Sequence, residues 1–260
     1  MDSKLLKQKL EYHYRAFNKN DFPDDPIKFP HRFNTFEDIE IAALISSTFA
    51  FGSIKQINNS LEKLFKILEE KPFDFVLSYN YKKDRKIFQE LKHRFISSND
   101  IAVLFYALHK IYSVDETLKK FFSLYYLEED KNLKEAISFF SEHMNELFNQ
   151  VSKSSHGLKF MFPNPQNDSA CKRMNLFLRW MIRRDNLDFG IWDDIPTSKL
   201  VIPVDTHIAA VAKKLKLTKQ KLINWKMAEE ITESLKKFDS KDPVKYDFSI
   251  CHIDINKGNL

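Results

Sequence analysis

Glycine is scarce in this sequence: only Gly52, Gly157, Gly190 and Gly258 occur among 260 residues. Rossmann turns and P-loops need two or three closely spaced glycines so that backbone can approach phosphate, and no stretch here supplies them. Cysteine is scarcer still. Cys171 and Cys251 are too few for a four-thiolate iron–sulfur cluster or a disulfide framework, and they suit a reducing compartment. No apolar run reaches membrane-spanning length. The N-terminal segment MDSKLLKQKLEYHYRAF interleaves charge with apolar residues, unlike a signal peptide. The eight histidines fall at no zinc-ligand spacing, and neither a GxSxG elbow nor an HExxH helix is present. The chain is therefore expected to work without metal or cofactor, in the cytoplasm.

What is present is a mixture of 43% hydrophobic and 30% charged residues, enough for a sizeable core. Forty-one Lys and Arg against 36 Asp and Glu leave a formal charge of +5, which permits a polyanionic partner without demanding one. Apolar residues recur at three and four positions, so an all-α fold is predicted. Residues 36 to 70 should hold two helices separated at Gly52, with Ile39, Ala42, Ala43 and Ser46 on one stripe and Ile57, Leu61, Leu64 and Phe65 on the other. Further helices are expected over 100–113, 115–127, 131–150, 169–184, 205–215, 226–238 and 243–252. Phe162 to Asp168 and Phe189 to Pro203 read as irregular segments. Without a Gly/Ser linker, residues 1–260 read as one unit, which two helical lobes could make up.

Three constellations could carry chemistry. In the first, Asp168 is the expected N-cap, Lys172 follows the first turn, and Met174, Phe177, Leu178 and Met181 form a buried stripe. An ammonium there is opposed by the helix dipole and by Arg173, which favours the neutral, nucleophilic amine; the alternative is an ordinary solvated lysine. In the second, Pro203-Val204-Asp205-Thr206-His207, Asp205 is placed to accept the amides of His207 or Ile208. Such a carboxylate stays ionised and could stabilise positive charge on a sugar, or simply cap its helix, while the helix start and His207 could meet a phosphate. In the third, Asp242 and Pro243 start a helix whose apolar stripe is Val244, Phe248 and Cys251, with Asp247 on the same face. Asp247 could bond a ligand or pair with an arginine. Basic residues gather at Arg173, Arg179, Arg183 and Arg184, and again at Lys213, Lys214, Lys216, Lys219 and Lys221, as phosphate binding around a site requires.

Pro203-Val204-Asp205-Thr206-His207-Ile208 resembles the aspartate motif of helix-hairpin-helix DNA glycosylases, the superfamily of endonuclease III and the 8-oxoguanine glycosylases. Lys172 resembles, in order and setting, the catalytic lysine on the second helix of the hairpin. The helix containing Leu44-Ile45-Ser46-Ser47 resembles the early helix whose end fills the gap left by an extruded base. The SACKR, FLRWM, PVDTH and DPVKYDF blocks resemble an uncharacterised bacterial family assigned to this superfamily. The resemblance spans roughly residues 36 to 255. The loop matching the hairpin, Pro163 to Ser169, has no glycine, and Lys172 and Asp205 lie 33 positions apart, further than in endonuclease III. Archaeal 8-oxoguanine glycosylases resemble the chain in both respects.

The resemblance implies a two-lobed, helix-hairpin-helix glycosylase-like fold with a cleft between the lobes. It implies base excision repair by a DNA glycosylase with AP lyase activity, acting on an oxidised purine such as 8-oxoguanine. Lys172 and Asp205 would be catalytic, His207 and Arg173 would bind DNA, Phe49 or Phe51 would be the wedge, and Tyr246, Asp247 and Phe248 would line the base pocket. The partner would be double-stranded DNA carrying a damaged base, met by a monomer in the nucleoid and not by a membrane protein. The residues alone leave open a non-catalytic helical module that binds DNA or RNA, and a purely structural helical partner.

Overall fold

The computed structural model describes residues 3–19 and 25–250. The fold is all-α: the described residues form helices α1 (Ser3–Phe17), α2 (Phe36–Thr48), α3 (Ile54–Ile67), α4 (Pro72–Ser78), α5 (Tyr81–Asp84), α6 (Ser98–Val114), α7 (Leu118–Ser123), α8 (Lys134–Asn149), α9 (His156–Met161), α10 (Lys172–Ile182), α11 (Thr206–Lys214) and α12 (Trp225–Lys236). The only β-type pairings among these residues are two isolated bridges, His93 with Ile96 and Arg184 with Phe189. No helix of the described residues is long and apolar enough to cross a membrane.

The described residues fall into two compact units, one of residues 25–129 and 135–164, the other of residues 3–19, 130–134 and 165–250. In the first, α2 is buried on every side from Ile39 to Thr48, so its apolar residues are not confined to the stripe predicted for Ile39, Ala42, Ala43 and Ser46. Complete burial forces its one inward acid to find partners. Glu40 accepts from the Tyr112 hydroxyl at 2.9 Å and from the amides of Leu118 and Lys119 at 3.0 and 2.9 Å, satisfying donors at the start of α7. Gly52, at φ 102°, ends this region as expected, and α3 follows under a Ser53 cap. The Ser97/Asp100 capping box starts α6, a device worth about 1 kcal/mol.

In the second unit the stripe of α10 is buried as its spacing predicts, and Phe177 meets Trp192 edge to face at 5.3 Å. Ile208, Val211 and Ala212 of α11 and Trp225, Ile231 and Leu235 of α12 complete this core, each large side chain contributing roughly 1.5–3 kcal/mol. Gly190, at φ 56°, permits the return after α10, because a Cβ there would lie 2.4 Å from that of Arg184. Several helices are shorter than their periodicity suggests, among them the one expected over 131–150, which is α8. Residues 115–127 reduce to α7, since Glu116 turns left-handed at φ 67° and Thr117 restarts the chain with its own cap. Residues 169–184 start only at Lys172. Residues 243–252 open as a 3-10 turn, Pro243–Tyr246, and become helical over 247–250, while Cys251 lies outside the described residues. The periodicity did not predict α1, because it buries only Leu6 and Leu10.

Candidate active site

The loop entering α10 contains two non-glycine residues in the left-handed region, Asp168 at φ 62° and Cys171 at φ 46°. Asp168 is not the helix cap. Its carboxylate accepts from Asn224 Nδ2 at 3.0 Å, Cys171 holds the cap position without a side-chain cap bond, and Asn175 Nδ2 reaches back to the Ala170 carbonyl at 3.1 Å. Lys172 is therefore the first residue of α10 rather than one turn inside it, at the end where the dipole is positive. Burial pushes the Cys171 thiol up to about 12, which keeps it protonated at neutral pH.

Asp205 caps α11 as its spacing predicts, accepting the amides of His207 and Ile208 through Oδ1 at 2.9 and 3.0 Å. Its other oxygen, Oδ2, lies 3.0 Å from Lys172 Nζ. Burial opposes the charge of Asp205, but the Lys172 ammonium and the two amides outweigh it and hold the carboxyl below its ordinary value. Both side chains stay accessible, 34% exposed for Lys172 and 25% for Asp205. A lysine and a rigid, ionised carboxylate thus meet, both partly exposed, at the N-terminal ends of two helices. Such a pair can form a Schiff base with a sugar carbon while stabilising positive charge beside it.

The DUF2400 family, described as protein of unknown function, matches residues 25–256, which include Lys172 and Asp205. The chain belongs to that family. No curated protein and no solved structure matches the chain.

The other expected site residues of this DUF2400 chain are placed variously. His207 is exposed beside Asp205, where a phosphate could reach it. Arg173 is buried and burial lowers its pKa, so it presents no guanidinium to a DNA backbone. Phe49 is wholly buried against His93, at 5.0 Å between centroids, and is no wedge. Phe51 is half-buried. Tyr246 is buried with its hydroxyl on Glu11, which removes it from a base pocket. Asp247 is buried on Arg179, the structural alternative its position had left open. Phe248 lines a small cavity with Arg179, Arg183, Asp188 and Ser249.

The missed feature lies along α10. Residues 172 and 179 share one face, about 10 Å of helix separating them, and Arg183 follows as the C-cap residue just past the last turn. Arg179 and Arg183, expected to face phosphates, are instead only 5% and 4% exposed. Arg179 binds Asp188 and Asp247; Arg183 binds Asp185, Asp188 and, at 2.9 Å, Asp242. That last bond occupies the side chain expected to cap the Pro243–Tyr246 turn. Burial raises Asp188 and Asp242 despite their arginines and holds Asp247 up to about 6, where the charge of Asp205 adds to the effect. The sequence signal was the Asp185-x-x-Asp188 pair directly after an arginine face.

Proposed function

We propose that this chain is a DNA glycosylase with β-lyase activity, built as a two-lobed helix-hairpin-helix protein and acting on an oxidised purine, 8-oxoguanine, in duplex DNA. The observation that carries the reading is the 3.0 Å contact of Lys172 Nζ with Asp205 Oδ2, left open at two helix starts. An accessible amine beside a carboxylate is what attack on a sugar carbon requires.

In this reading the damaged nucleotide is rotated out of the duplex. The Lys172 ammonium first gives a proton to solvent water, and the resulting neutral amine attacks C1′ of the deoxyribose. The C1′–N bond breaks with its electron pair leaving on the base, and the proton shed by the amine goes to the departing base. Asp205 stabilises the oxocarbenium-like charge at C1′. Opening of the C1′–O4′ bond gives the Schiff base, and loss of a C2′ proton then expels the 3′ phosphate. Exposed His207, next to Asp205, is assigned to a backbone phosphate.

Borohydride trapping on duplexes carrying 8-oxoguanine, thymine glycol, uracil or an abasic site tests the proposal. A lesion-dependent adduct, strongest with 8-oxoguanine and lost in Lys172→Gln, is expected. An adduct that survives in Lys172→Gln, or none with any of the four, overturns the lysine chemistry.

A further inference from the structure

The unit of residues 25–129 and 135–164 carries a ring cluster that the lysine chemistry does not use. Phe51, Phe95 and Phe160 meet pairwise, with centroids 5.3, 4.7 and 4.6 Å apart for Phe51–Phe95, Phe51–Phe160 and Phe95–Phe160. His156 adds a fourth ring 4.7 Å from Phe95. Three packed phenylalanines usually close a core, yet here Phe95 is 37% exposed, His156 is exposed, and Phe51 and Phe160 are half-buried.

The cluster is also held rigidly. His93 and Ile96 exchange both backbone hydrogen bonds, at 3.0 and 2.9 Å, so that Arg94 and Phe95 form the tip of a tight turn, with Arg94 left-handed at φ 53°. His93 anchors that turn through Ser60 Oγ at 3.0 Å and the Phe51 carbonyl at 3.1 Å. Arg94 lies over the Phe51 ring at 5.6 Å, across Gly52, where a Cβ would come within 3.0 Å of its side chain. A two-residue turn of this kind calls for a positive φ at its first central position, and Arg94 supplies it, which holds Phe95 at the tip. The three segments that build the cluster, 51–56, 89–97 and 153–161, expose Lys55, Lys92, Arg94, Lys153 and Lys159 against the single acid Glu90.

We propose that Phe51, Phe95, Phe160 and His156 form a stacking platform for unpaired nucleobases, with Arg94 and the neighbouring lysines on the strand's phosphates. Every base offers a π-face, and a cationic rim neutralises the strand that carries it. Duplex DNA keeps its bases stacked on one another, so this surface selects single strands, bulges or opened duplex. The inference shares with the reading above its class of ligand and Phe51, the wedge candidate, but not Lys172 or Asp205. Lesion-free oligonucleotides test it independently, whereas borohydride trapping reads Lys172 alone.

The test is fluorescence anisotropy of the full chain with labelled oligothymidylate, oligouridylate, an abasic strand of equal length, and duplex. Oligothymidylate is expected to bind at least about fivefold more tightly than the abasic strand, and Phe95→Ala to remove at least that factor, the lower bound for one stacked base. Phe95→Trp should restore binding, and Phe139→Ala, at an exposed ring outside the platform, should leave it unchanged. The oligouridylate arm tells an RNA source of the base from a DNA one. Equal binding of the abasic strand, wild-type affinity in Phe95→Ala, or no binding of either oligonucleotide overturns the platform.

Discussion

The two ends of α10 treat positive charge in opposite ways. At its C-terminal end Arg179 and Arg183 are buried and share four carboxylates, Asp185, Asp188, Asp242 and Asp247. At its N-terminal end Lys172 has one ion-pair partner, Asp205, and remains a third exposed. Guanidinium groups have fixed forks that suit multiple buried carboxylates, whereas an amine is a compact group that can lose its proton and become a nucleophile. The contrast teaches that the arginine end is architecture and that the lysine end has been kept available.

The widest separation between the ends should come from Lys172→Gln. Borohydride trapping is expected to vanish while stability, followed by urea unfolding, changes by no more than about 1 kcal/mol, the range of an accessible ion pair. At the other end, Arg183→Ala strips buried Asp188 and Asp185, and partly exposed Asp242, of a partner and should cost roughly 3–5 kcal/mol in the same unfolding measurement. Should the two variants lose equal stability, the distinction between architecture and availability fails. Asp205→Asn keeps a side-chain oxygen for the α11 cap, so stability should hold within about 1 kcal/mol. Single-turnover cleavage should nevertheless slow by about 10²–10³-fold, as on removal of a charge-stabilising group.

The smallest effects are in pH dependence, and the two ends differ in sign. Asp205 is held below its ordinary value, so its contribution is complete above about pH 4 and is lost as pH falls through the native value. Asp247 is held up to about 6, so the native state keeps a proton that the unfolded chain has released. Stability attributable to Asp247 therefore falls as pH rises from about 4 to about 6. Unfolding midpoints measured across that interval should decline less in Asp247→Asn than in the wild type. An unchanged decline would place the titrating group elsewhere in the network.

Much of the fold was legible in the sequence. The stripe Met174, Phe177, Leu178 and Met181, the break at Gly52 and the Asp205 cap all depend on residues within a turn or two of one another, and all appear as their spacing predicts. Legibility ended where distant segments compete for a side chain. Asp168 and Asp242 both read as helix caps, but Asn224 and Arg183, 56 and 59 positions away, take their carboxylates instead. Arg173, Arg179 and Arg183 read as a basic surface because charge is visible in a sequence and burial is not. Phe49 and Phe51, two residues apart, could not be told apart until packing buried the first and left the second at the surface.

The sequence by itself determined an all-α chain without glycine-rich phosphate loops, and it singled out Lys172 and Asp205 through local periodicity and capping chemistry. Their 3.0 Å meeting across 33 residues was decided only by the tertiary structure. So was the burial of the arginines at the other end of the lysine's helix. Helical periodicity fixes which residues share a face, but which segment covers that face, and hence which charges keep their water, depends on packing between elements far apart in the chain.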